Sequence, residues 1–182
     1  MIRLTPATLD KLKERLRARG ERASVVLGSA KTSLDAIEAM NVVTEYGALC
    51  EAMFLVMLAD KKVKNVERDV LRGAMRVLSN DRVRSTHLES MLDAAARGVA
   101  EEGLEKRLAA VIERLRGDEG RAETVYVLAA AVAAADAEIV PEESAVLHAL
   151  AEGLGLDEHR ANRLLAEIES GDVLPIDAPK KD

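Results

Sequence analysis

The chain has 182 residues, 48% of them hydrophobic, which is enough to bury the core of one domain of ordinary size. Thirty alanines and 24 leucines against three aromatic residues (Tyr46, Phe54, Tyr126) and no tryptophan make a helix composition, and 134 consecutive residues, Ala7 to Val140, contain no proline. All-β and doubly wound folds are excluded on that basis. The formal charge is −6, but residues 1–22 hold seven Lys/Arg against three Asp/Glu, leaving −10 for the remainder, so nucleic acid is not the expected partner.

Thr5-Pro6 caps and starts a first helix over 6–19, with Leu9, Leu12 and Leu16 as its apolar stripe and Lys11, Lys13, Arg15, Arg17 and Arg19 on its other faces. This basic amphipathic helix either packs its stripe on the acidic body or lies on an anionic membrane surface. Residues 20–33 read as a loop or short helix. Ser33 caps the next helix, over Leu34, Ile37 and Met40 to Val43, which runs toward residues 44–60. That segment is apolar on nearly every face beyond Tyr46, the signature of a surrounded helix. Further helices are expected at 66–79, 82–97, 100–116, 121–137, 141–153 and 157–170, before a tail, 172–182, with two prolines.

No uninterrupted apolar stretch approaches the roughly 20 residues a bilayer requires; the longest, Val125 to Ala135, has eleven. With no secretory or transit signal and one cysteine, Cys50, set in an apolar run, a cytoplasmic protein with a core thiol is expected.

A shift of 76 residues superposes two parts of the chain. Asp60 falls on Asp136, Val63 on Ile139, Glu67 on Glu143, Val70 on Val146, Leu71 on Leu147, Leu78 on Leu154 and Asp81 on Asp157, and without a gap Leu88 meets Leu164 and Leu92 meets Ile168. Each unit reads as an apolar helix ending in Asp, a short connection, an acid-started helix and an Asp-capped third helix. Neither unit can bury its apolar helix alone, so the expected fold is all-α: a pseudo-twofold bundle of seven to nine helices, with repeats at 33–98 and 104–171 and the apolar helices packed together at the centre. Leu55, Leu58, Val127 and Val132 are expected to be buried.

The segments "LADKKVKNVE" and "AADAEIVPEE" carry a resemblance to the tellurite-resistance TerB-like family, covering residues 33–171. The family pattern has Gly after each motif Asp, where this sequence has Lys61 and Ala137. The resemblance implies an all-helical protein linked to stress and tellurite resistance, with acidic residues that bind divalent cations and no enzymatic activity. Related domains occur on membrane-linked J-domain proteins.

The acids allow two readings. Asp60, Glu67, Asp136, Glu138, Glu142 and Glu143 could supply hard oxygen ligands to Ca²⁺ or Mg²⁺. Equally, each Asp could accept hydrogen bonds from the following turn, while the Glu residues complement the positive ends of their helices. Lys61, Lys62 and Lys64 oppose a cation at the first loop, whereas no Lys or Arg stands between Arg121 and Arg160, so the second loop is the better candidate. Alternatively, the lysines of the first loop pair with the acids of the second. The three histidines fit solvated or capping roles, and neither a nucleotide-binding glycine motif nor a thiol–histidine pair is present. The leading expectation is a non-enzymatic stress-response or scaffold protein with protein partners. The alternatives are a membrane-surface adaptor and a metal-dependent enzyme.

Overall fold

The computed structural model describes residues 14–18, 33–135 and 139–170. Every regular element among them is helical: α1 (Ser33–Met57), α2 (Asn65–Leu78), α3 (Ser85–Glu102), α4 (Leu104–Leu115), α5 (Glu119–Ala133), α6 (Pro141–Gly153) and α7 (Glu158–Ser170), with residues 14–18 also helical. The rest of the expected 6–19 helix, the 20–33 connection and the tail lie outside the described residues, apart from Ser33 itself.

The two segments without a polar stripe form the centre. Residues 48–57 of α1 and 125–133 of α5 are buried on every face, and α1 and α5 pack against each other. A helix that is apolar all round can only be satisfied by neighbours on all sides. Accordingly α1 touches α2, α3, α4, α5 and α6, and α5 touches α1, α2, α6 and α7. Each central helix thus meets the helix that follows it and the corresponding helix of the other half: α2 rests on α5, and α6 on α1.

The sequence reading needs four corrections. Residues 33–57 make one helix, the 33–43 segment running on into the next as the sequence allows, but that helix ends at Met57, three residues before Asp60. Leu55, Val127 and Val132 are buried, but Leu58, beyond the helix end, is only half-buried. Ile37–Met57, at mean hydropathy 1.2, is long and apolar enough to cross a membrane by length and composition, although 67% of it is buried inside the protein, as suits a core helix.

The fourth correction concerns the third helix of each unit. Asp157 caps α7, its Oδ1 accepting from Arg160 N at 2.7 Å, but the residue in the N-cap position of α3 is Arg84, not Asp81. The first connection, residues 79–84, is longer than the second, residues 154–157. In the first, Asn80 and Asp81 adopt positive φ (50° and 62°), while buried Ser79 Oγ donates to Met75 O and accepts from Val83 N. In the second, Gly155 alone takes the left-handed conformation, at φ 78°, and the next helix starts sooner. The gapless alignment into the third helix therefore does not describe how these helices begin.

Residues 14–18 are held on α2. Leu16 is 1% exposed, and its backbone stands where a β-carbon on Gly73 would have to go. Arg15 and Arg17 on either side are exposed.

Candidate functional site

The repeated acids lie around the turns that lead into α2 and α6. In the first turn Asp60 Oδ1 accepts from Lys62 N at 2.7 Å, closing an Asx turn around Lys61, which sits at φ 62°. Glu67, the third residue of α2, is fully buried; its Oε2 accepts from Lys64 N at 3.1 Å, and its Oε1 lies 3.8 Å from Lys64 Nζ. In the second turn Glu143, the third residue of α6, is 1% exposed and its Oε2 accepts from Val140 N at 3.1 Å. Pro141 opens α6 and Glu142 is exposed. The two glutamates thus perform the same capping chemistry at the same place in each unit, satisfying a backbone N–H at a helix start with an anion that the dipole favours.

Asp136 and Glu138 lie outside the described residues. Among the described residues, no group of three or more His, Cys, Asp or Glu side chains is arranged to hold a metal ion. Glu67 and Glu143 are each turned to the start of their own helix.

His87, third residue of α3, accepts from Arg84 N through Nδ1 at 3.3 Å, a cap of the same kind, while His148 and His159 are exposed. Cys50 is a fully buried free thiol, and burial, with Glu51 and Glu89 adding to it, pushes its pKa up to about 12.

Two features escaped the sequence reading. Glu51, the one acid in the run from Ala48 to Leu58, is 6% exposed and anchors α4: Arg107 Nη2 lies 2.7 Å and Arg114 Nη1 3.9 Å from its carboxylate, and Arg107 also reaches Glu102 at 3.3 Å. Hydrogen bonding to Glu51 raises the Arg107 pKa further. Gly98 leaves the space, since a β-carbon there would sit 2.9 Å from Arg107 Nε. A lone acid inside an apolar helix was the available signal. The second is a cleft of about 520 Å³ between the start of α5 and the α6–α7 connection, lined among others by Asp118, Glu123, Asp157, Arg160 and Arg163. Asp118 caps α5 through Arg121 N (3.0 Å), Glu123 binds Arg160 (2.5 Å) and Asp157 caps α7, so these three acids are engaged locally.

The protein is thus an all-α bundle built round two surrounded apolar helices, each followed by a helix capped by a buried glutamate. The family model described as Tellurite resistance protein TerB matches residues 46–166, and the chain belongs to that family. No curated protein and no solved structure matches the chain.

Proposed function

We propose that this TerB-family protein is non-enzymatic and works through its surfaces, as a binding or scaffold protein of the stress response. The observation that supports this is the state of the repeated acids: Asp60, Glu67 and Glu143 each give an oxygen to a backbone N–H of their own turn. A general acid or base needs instead a carboxyl aimed into a cleft within reach of a substrate proton. Leu16, turned onto α2, supports reading the basic N-terminal segment as an element of the body rather than a membrane anchor. Co-sedimentation of the intact chain with anionic liposomes would overturn that part of the reading.

A divalent cation at the second turn is the second reading. It is favoured by charge: Asp136, Glu138, Glu142 and Glu143 stand in a stretch with no Lys or Arg from 122 to 159, whereas Lys64 lies beside Glu67 in the first. A melting experiment decides between the two. A ligand that binds only the folded state raises the melting temperature by mass action. If the acids are caps alone, millimolar Ca²⁺ and Mg²⁺ leave the melting curve unmoved. If the second turn binds a cation, Ca²⁺ raises the midpoint, Asp136→Asn abolishes the shift and Asp60→Asn reduces it less.

A further inference from the structure

The two parts of α1 are held differently. Every residue from Ala48 to Met57 is buried, whereas between Ile37 and Thr44 only Val42 is fully so, and Ile37 and Met40 are 56% and 71% exposed. A length of helix with so little apolar burial depends on other contacts to stay in place. Those contacts converge on Glu45. Arg82, from the connection between α2 and α3, lies 3.1 Å from the Glu45 carboxylate, and its guanidinium stands 5.8 Å from the centre of the Tyr46 ring. Arg121, in the first turn of α5, donates through Nη2 to the backbone carbonyl of Glu45 at 2.6 Å. A side chain that binds a carbonyl inside a helix competes with the helix's own hydrogen-bond ladder, an arrangement at which helices bend. Gly47 follows two residues later. Gly73 and Gly98 also lie inside helices, and each makes room for a close neighbour, Leu16 and Arg107. At Gly47 nothing among the described residues stands within 4 Å of the place of a β-carbon. Alanine would fit there and favours the helix more, so what glycine adds is backbone freedom.

We propose that Glu45 to Gly47 form a hinge in α1 and that Arg82 and Arg121 are its latch. With the latch closed, residues 37–44 continue the line of the central helix and Val42 is covered. With it open, they swing away as an intact helical arm and Val42 is uncovered. The latch is polar and partly in water: the side chains of Arg82 and Glu45 are 48% and 45% exposed, so salt weakens the pair. The buried half of α1 does not take part, because its neighbours on every side hold it.

Spin labels on the full chain test this. Cysteines introduced by Met40→Cys and Ala94→Cys, both at exposed positions, report the distance from the outer part of α1 to α3, and the pair Ala94→Cys and Ala109→Cys is a control within the body. Cys50 is buried and stays unlabelled. In low salt the first pair should give one narrow distance. High salt, or Arg82→Met combined with Arg121→Met, should add a second distance, the ratio of open to closed rising by roughly fivefold or more while the control pair is unchanged. Adding Gly47→Ala should shrink the open population, and hydrogen exchange of the 37–44 amides should stay near its native rate. An unchanged first distance in the double arginine variant overturns the proposal. So does broadening of the control pair, since the whole body would then have loosened. Faster exchange throughout 37–44 overturns it as well, because the outer turns would be fraying rather than swinging. An open population that Gly47→Ala leaves untouched puts the bend elsewhere and overturns the hinge.

Discussion

The carbonyl of Leu16 occupies the space that a β-carbon on Gly73 would need, so the N-terminal segment meets α2 backbone against backbone. Glycine inside a helix is ordinarily a cost of about 0.5–1 kcal/mol relative to alanine. Here the missing side chain leaves the room for that approach. Gly73→Ala therefore should destabilise by ~1–3 kcal/mol despite its better helix propensity, because the segment must shift or detach. Chemical denaturation measures the loss, and trypsin should cut after Arg15 and Arg17 faster than in the native chain. An increase in stability would mean that the contact is absent in solution.

The buried Glu51 makes α4 dependent on its arginine. Arg107→Met leaves a carboxylate that is 6% exposed facing Arg114 at the longer distance of 3.9 Å, which should cost about 3 kcal/mol. Combining it with Glu51→Leu should restore most of that loss, since an apolar pair needs no desolvated charge. Denaturant midpoints of the two single variants and the double give the coupling directly, and additive losses would count against a specific pair.

Leu55 and Leu58 sit three residues apart, yet Leu55 is fully buried in α1 and Leu58 half-buried beyond its end. Leu55→Ala should cost ~2–5 kcal/mol. Leu58→Ala should cost less than half as much, in proportion to the apolar area removed from water. Equal losses in thermal or urea unfolding would show that Leu58 is packed more deeply than described.

Cys50 should be inert in the folded protein. Its pKa, pushed up to about 12, keeps it a neutral thiol at pH 8, and burial denies access to a reagent. A disulfide reagent should label it only as fast as the chain unfolds, with full labelling in denaturant. The sign for stability follows from the same shift: because folding favours the protonated thiol, its contribution is complete below the unfolded-state pKa and declines at alkaline pH. Rapid labelling under native conditions would place the thiol at the surface.

Much of the architecture could be read without coordinates. An alanine- and leucine-rich chain with no proline from residue 7 to residue 140 has few alternatives to helices, and residues 48–57 and 125–133, lacking any polar stripe, had to be central. The glutamates three residues after Lys64 and Val140 were legible as helix starters because capping is local chemistry. Tertiary structure decided what depends on residues distant in sequence. It set Arg107 on Glu51 across 56 positions and placed Leu16 on Gly73. It also gave the two units different connections into their third helices, because Ser79 with Asn80 and Asp81 closes one turn while Gly155 closes the other. Periodicity reports which face of a helix is apolar, but the partner of a buried charge, or of a glycine, is chosen only when the helices pack.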